Sequence, residues 1–283
     1  MSPETKRTGG KPVRGNLRVA GGQLAYETAG QGTAVLFIHS AIADGRLWDR
    51  EIPLYSADHQ AIRFDLRGYG GSSPASAPFS YVEDIHSLLA HLGVRRAFLV
   101  GSSMGGAFAI DYALEHPEQV SGLLLVAPGL SGGFEPPFSP EEQTALDYDD
   151  EKSQKVAQAW AKGDAPGAFE QLRALWCSAL EGANLARFRQ MVDQNLAEVF
   201  DDRSAKLATR RTPAEGRLSA IRAPTTLLIG DRDNPSSDCF VKRIARALPG
   251  ARRVPVPGAD HLINLSAPKA FDETLRTSLR GVA

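Results

Sequence analysis

Cysteine is scarce in this chain, with only Cys177 and Cys239 among 283 residues. They stand far apart, in neither a C-x-x-C pair nor Cys/His ligand spacing, so neither a disulfide framework nor a zinc site is expected. No metal and no cofactor is given a role. Charge of one sign is also lacking. Thirty-two basic residues against thirty-three acidic ones leave a formal net charge of −1, with no basic stripe for nucleic acid and no polybasic segment for anionic lipid. No stretch is apolar for long enough to span a bilayer. Met1 to Gly15 mixes Lys, Arg, Gly and Pro with no apolar segment behind it, which excludes a secretory signal and reads as a flexible tail. Internal repeats and low-complexity tracts are missing too. A cytoplasmic protein with no nucleic-acid or membrane partner is the expectation, and nothing in the sequence sets the oligomeric state.

What is present is an alternation of short apolar runs with amphipathic stretches. Leu17–Ala20 and Leu24–Thr28 flank Gly21-Gly22 and predict a hairpin. Ala34–Ile38, Ala61–Phe64, Ala97–Val100, Leu123–Val126 and Thr225–Ile229 are compact strand candidates. Helical patterns lie between them, over Val82–Leu92, after Ser103, over Cys239–Leu248 and over Pro268–Leu279. Continuous apolar strands separated by helices imply a mostly parallel sheet covered on both faces, an α/β architecture. The alternation stops after Ala127-Pro128-Gly129 and resumes near Pro213. The division this predicts is a tail over 1–15, a core over 16–129 and 214–283, and a helical cap inserted at 130–213. The aromatics of the insertion, among them Trp160, Phe169, Trp176, Phe188 and Phe200, are expected mostly to join its helices, with one or two facing a pocket.

The chemistry-bearing motif is Gly101-Ser102-Ser103-Met104-Gly105, set between an apolar strand and a helical pattern. A serine on so tight a strand-to-helix turn is forced into strained backbone geometry, and glycines flank it because side chains there would collide with the neighbouring elements. Its hydroxyl is thereby exposed in a cleft. Read for structure alone, Ser103 would be a turn residue or a helix N-cap. A nucleophilic serine needs a histidine base and a group to orient that base. On an elbow of this kind the acid and then the histidine follow the serine in chain order, and of six histidines only His261, in Gly258-Ala259-Asp260-His261, lies beyond both elbow and insertion. The acid belongs at the end of the Thr225–Ile229 strand, where Asp231 and Asp233 both stand. Asp233 is preferred because Asn234-Pro235 turns the loop back toward the imidazole, whereas Asp231 reads as a loop cap or an arginine partner. The alternative acid position, after Val126, holds Ala127-Pro128-Gly129 and offers no carboxylate. Oxyanion donors are expected from the Met104 N–H, at a helix N-terminus, and from the loop after Ile38, with Ala41 preferred and Ile42 the second choice. His39 is expected to brace that loop. His59, His86, His91 and His116 read as solvent-facing or helix-end residues.

From about Leu17 to Leu279 the chain resembles the α/β-hydrolase superfamily. The resemblance rests on Gly-Ser-Ser-Met-Gly-Gly at 101–106, on Asp65-Leu66-Arg67-Gly68-Tyr69-Gly70-Gly71-Ser72, which is similar to that family's D-x-R-G-x-G-x-S turn, on the Ala113–Val120 segment leading into a strand, and on Gly-Ala-Asp-His at 258–261. It implies an eight-stranded sheet, a helical cap between the sixth and seventh strands, and Ser103, Asp233 and His261 as a catalytic triad. Asp65 and Arg67 then read as structural turn residues. The chain departs from the family at Ser40, where many relatives have glycine after the histidine. Serine at the elbow separates it from the epoxide hydrolases and dehalogenases, which use aspartate there. What remains is hydrolysis of a small-molecule ester, lactone or related carbonyl compound through an acyl-enzyme on Ser103. C–C bond hydrolysis, cofactor-free perhydrolase or lyase chemistry, or a ligand-binding protein on the same scaffold are the alternatives. The acidic run Asp147–Glu151 reads as a solvated helix start.

Overall fold

A computed structural model describes residues 11–209, 212–248 and 250–282. The chain begins with β1 (Val13–Val19), β2 (Gly22–Ala29) and β3 (Ala34–Ile38), then α1 (Glu51–Tyr55), β4 (Gln60–Phe64) and α2 (Tyr81–His91). Next come β5 (Ala97–Ser102), α3 (Met104–Glu115) and β6 (Val120–Val126). Four helices follow before the sheet resumes: α4 (Pro140–Ala161), α5 (Ala165–Trp176), α6 (Gly182–Gln194) and α7 (Leu196–Asp201). The chain closes with β7 (Thr225–Gly230), α8 (Pro235–Ala247), β8 (Arg252–Val256), α9 (Ile263–Ser266) and α10 (Pro268–Arg280). The eight strands form one sheet in the order β1-β2-β4-β3-β5-β6-β7-β8. β1 and β4 both run antiparallel to β2, and every other pairing is parallel. This is the α/β-hydrolase fold.

Side-chain alternation along the central strands explains why their apolar runs are unbroken. Leu36 and Ile38 of β3, Leu99 of β5, and Leu123 and Leu125 of β6 face a core built with α2, α3 and α8. Val35, Phe37, Phe98, Val100, Leu124 and Val126 face a second core on the other side, with Phe271 and Leu275 of α10 and Phe169, Phe188 and Met191 of the inserted helices. Strands covered on both faces need apolar residues at every position, and each fully buried Leu or Phe contributes about 1.5–3 kcal/mol. No helix among the described residues is long and apolar enough to cross a membrane.

Two expectations need correction. The predicted tail reached Gly15, but β1 already begins at Val13; residues 1–10 of that tail lie outside the described residues. Edge strand β1 is held by pairing rather than burial, Val13 opposite Thr28 and Arg14 opposite Glu27, with Arg14 Nε donating to Glu27 at 3.1 Å. Its exposed polar residues therefore give no strand-like apolar pattern. The acidic run Asp147–Glu151 lies inside α4, whose start is capped by Ser139 and Glu142 instead.

The first residue of α1 is a buried carboxylate with a thermodynamic consequence. Glu51 has one oxygen bonded to Arg50 at 3.0 Å and the other, Oε2, without a partner among the described residues. Burial pushes its pKa up to about 7 against the opposing charge of Arg50, which is shared with Asp272. Because the folded value lies above the ordinary carboxylate value of 4.5, the contribution to stability is complete below pH 4.5 and is lost as pH rises through about 7. It amounts to roughly 3 kcal/mol. Urea unfolding at pH 5 and pH 8 should show wild type losing stability that Glu51→Gln retains, and an identical loss in both proteins would contradict this.

Candidate active site

At the end of β5 the chain turns into α3 through Ser103, whose φ of 52° and ψ of −114° lie outside the ordinary regions for a residue with a side chain. Such strain persists only where the surroundings over-determine it. Here the Ser103 N–H donates to Val126 O at 2.9 Å, while the Ser103 carbonyl accepts from Gly106, Ala107 and Gly129 at 2.9, 3.1 and 3.0 Å. The flanking glycines make room. A Cβ on Gly105 would strike the carbonyls of Ile38 and His39, and one on Gly106 would come within 2.7 Å of Pro128 Cβ. The elbow is therefore pressed against the end of β3, where the next loop begins.

That loop is built on His39. Its Nε2 accepts from Leu66 N–H at 2.9 Å, so Nδ1 carries the proton and donates to Ser40 O at 2.8 Å. Burial holds His39 below its ordinary pKa, in keeping with a neutral bridging ring. Ser40 uses its hydroxyl to accept the Ile42 N–H at 3.2 Å. The Ile42 amide is thus engaged, whereas among the described residues neither the Ala41 N–H nor the Met104 N–H finds an acceptor.

The loop after β7 and the loop after β8 are fastened together. Asp231 Oδ1 accepts from Gly258 N–H at 2.6 Å, and Arg232 N–H donates to Ala259 O at 2.9 Å. Asp233, two residues on, meets His261: Nδ1 lies 3.0 Å from both carboxylate oxygens, with the two side chains 4% and 1% exposed. Burial works against protonation of His261, but the charge and hydrogen bond of Asp233, reinforced by Asp260 and Asp149, outweigh it and raise the pKa above 6.5. With Nδ1–H given to Asp233, the neutral ring keeps its lone pair on Nε2. Among the described residues no hydrogen bond joins Ser103 Oγ to His261.

A cavity of about 1020 Å³ opens beside Ser103 and Met104, walled by Tyr81, Phe108, Leu130 and Pro213. Tyr81 and Phe108 stack with ring centroids 4.0 Å apart. The remaining sequence candidates fall elsewhere. Asp65 accepts from Gly45 and Gly71 N–H, and Arg67 forms a bidentate pair with Asp84 at 2.7 Å beneath α2. His86 stacks on His116, and His91 bonds Tyr26. Glu83, Glu115 and His116 bring ligand atoms within 4.8 Å of one another, but at the far end of α3, roughly 18 Å along the helix from Ser103 at 1.5 Å per residue.

Three residues around His261 were given no role there on sequence grounds. Trp176, at the end of α5, accepts the His261 N–H through its carbonyl at 3.1 Å and sets its ring 4.6 Å from the imidazole. Asp260, fully buried, accepts from Ala179 N–H at 2.9 Å and Leu262 N–H at 3.1 Å. Asp149 of α4 accepts from Asn234. The spacing of Asp149 from buried Ala145 and Val156 was the available signal, since it places a carboxylate on the inward stripe of a helix.

An eight-stranded, mostly parallel sheet with a strained serine between strand and helix is the architecture of the α/β hydrolases. Residues 35–274 match the family model described as the alpha/beta hydrolase family, and the chain belongs to that family. It is an α/β-fold hydrolase. Among curated relatives, the AB hydrolase superfamily protein YisY of Bacillus subtilis is 25% identical over 244 residues, covering 84% of this chain and 88% of its own. Among solved structures, a thermophilic esterase from Thermogutta terrifontis is 26% identical, with a TM-score of 0.75 over 95% of this chain and 99% of that one. The enol-lactonase from Burkholderia xenovorans shares the fold at 21% identity, with a TM-score of 0.73 over 94% of this chain and 100% of that one.

Proposed function

We propose that the protein is a serine hydrolase of small to medium esters or lactones, with Ser103 as nucleophile, His261 as base and Asp233 as the group that orients it. Ser103 Oγ attacks the carbonyl carbon while its proton passes to His261 Nε2. The oxyanion is held by the Met104 and Ala41 amides, and the positive end of α3 adds to their effect. Collapse expels the alkoxide, which takes the proton from His261. Water then attacks the acyl-enzyme with His261 again as base, and collapse breaks the bond to Ser103 Oγ, which takes the proton back from His261 as the carboxylic acid leaves. The helices of residues 130–213 act as a cap over the cavity, and an acyl chain lies against Tyr81, Phe108 and Leu130. The observation that carries this reading is the buried Asp233–His261 pair, because a carboxylate fixed on Nδ1 selects the tautomer whose Nε2 is basic. The free amides of Ala41 and Met104 support it further. The contact between Ser103 and His261 is expected to close with substrate bound, as catalytic hydrogen bonds often do.

Treatment with a fluorophosphonate followed by peptide mapping should place a single adduct on Ser103 and none on Ser103→Ala. Absence of that adduct together with sustained turnover would overturn the reading. Activity that survives Ser103→Ala but is lost in His261→Ala, or that consumes oxygen, would instead identify cofactor-free chemistry at the histidine.

A further inference from the structure

We propose that Asp149, carried by inserted helix α4, is a positioning residue for the Asp233–His261 pair, so that full activity requires α4 to be seated on the loop after β7. The inference rests on the serine-hydrolase reading above and adds a condition to it.

Asp149 lies on the same face of α4 as Ala145, one turn before it, and Val156, two turns after it, both buried. A half-buried carboxylate in such a stripe is costly unless it is partnered. Its partners are Asn234, whose Nδ2 donates to Asp149 Oδ1 at 2.7 Å, and the Ser236 side chain, and burial still holds its carboxyl above the ordinary pKa. Asn234 is 2% exposed and directly follows Asp233. Its backbone N–H donates to Asp233 Oδ1 at 2.7 Å, and its side-chain oxygen accepts from Ser236 N–H at 3.0 Å as the cap of α8. One asparagine thus ties together the acid's carboxylate, the start of α8 and the inserted helix. Removing Asp149 would leave a buried amide donor unpaired, and the loop would move to find water. A displacement near 1 Å at Asp233 is enough to reorient the imidazole.

Charge gives Asp149 a second effect. The charged groups acting on the His261 imidazole are Asp233 from the loop after β7, Asp260 from its own loop and Asp149 from α4, while the Cys177 thiol, which burial pushes up and keeps neutral, lies near Asp260 and Asp233. Asp150, next along α4, is exposed. Lifting α4 would therefore remove both the bond that steadies Asp233 and one of three carboxylates favouring the imidazolium. Cap position and base strength are coupled through one side chain.

The test is the pH dependence of p-nitrophenyl butyrate hydrolysis by the full-length protein carrying Asp149→Ala, Asp149→Asn, Asn234→Ala, the double change Asp149→Ala/Asn234→Ala, and Asp150→Asn. Asp149→Ala should lower kcat about tenfold, with less effect on KM, and move the acid limb of kcat/KM to lower pH. Asp149→Asn keeps an acceptor for Asn234, so it should recover most of kcat while the acid limb stays displaced. Asn234→Ala, which also removes the cap of α8, should lose at least as much kcat as Asp149→Ala, with the double change no slower than Asn234→Ala alone. Asp150→Asn should leave the profile as in wild type. Wild-type kcat and acid limb in both Asp149 variants, additive losses in the double change, or an equal shift from Asp150→Asn would overturn the proposal. If Asp149→Ala does not fold, the acid limb of Asp149→Asn decides. Ser103→Ala and Asp233→Asn, run alongside, separate the two levels: retained activity in those sinks the serine-hydrolase reading itself, whereas their loss with unaffected Asp149 variants sinks only the role of α4.

Discussion

Ser103→Ala is expected to lower kcat/KM for ester hydrolysis by about 10⁴-fold or more, leaving the thermal stability of the protein nearly unchanged. The two halves of this expectation have separate causes. Activity falls because the attacking oxygen is removed, and the neighbouring Ser102 hydroxyl is buried. Stability is spared because the Ser103 side chain makes no capping hydrogen bond, even though it precedes α3 at the position where serine usually caps. The elbow's strain lies in the backbone at φ 52°, and alanine inherits it. Ser103→Gly, which relaxes that conformation, should raise stability by about 1 kcal/mol while being equally inactive. A serine retained for structure would behave in the opposite way, with activity preserved and stability lost. Kinetics and calorimetry on the two variants distinguish these outcomes.

Asp233→Asn is expected to cost about 10⁴-fold in kcat with the fold intact. In the native site the carboxylate accepts from two directions at once, from His261 Nδ1 and from the Asn234 N–H. An asparagine that keeps its oxygen on the Asn234 amide places its NH₂ where Oδ2 now stands, 3.0 Å from His261 Nδ1, and offers the imidazole a donor there. Nδ1 then becomes an acceptor, the ring proton moves to Nε2, and the base is lost. The remaining active fraction should show its acid limb at lower pH, since the charge that raises the His261 pKa is gone. Asp231→Asn should be nearly silent by comparison, because among the described residues the Asp231 side chain holds only the Gly258 amide, at an exposed edge. Stopped-flow and steady-state rates from pH 5 to 9 on the two asparagine variants test this, and a larger loss from Asp231→Asn would reverse the assignment of roles.

The parts of this molecule that can be read from its sequence are those fixed by local chemistry. Unbroken apolar runs at β3, β5, β6 and β7 mark strands buried on both faces, and the glycines at 101 and 105 mark an elbow because nothing larger fits between strand and helix. The turn at Asn234-Pro235 brings Asp233 rather than Asp231 to His261, as the loop's chemistry suggests. What escapes is whatever depends on partners distant in the chain. β1 is defined by its pairing with β2, so its first residues look like tail. Ser40, a departure from the family pattern, has a function only once Ile42 N–H is seen on its hydroxyl. Asp149 and Trp176 sit among ordinary helical residues, and only the docking of the inserted helices gives them a place beside His261. Asn195, the capping residue after α6, likewise reaches back to Asp44 at 2.7 Å and accepts from Gly70 at 2.8 Å, across a gap of more than a hundred residues.

The most direct measurement compares kcat/KM of Ser103→Ala, His261→Ala and the protein carrying both changes. If the hydroxyl and imidazole act as one unit, either change alone already removes what the unit supplies, and the double variant will be no slower than the slower single one. Losses that multiply would show two residues working independently, and that result would contradict a serine nucleophile activated by His261.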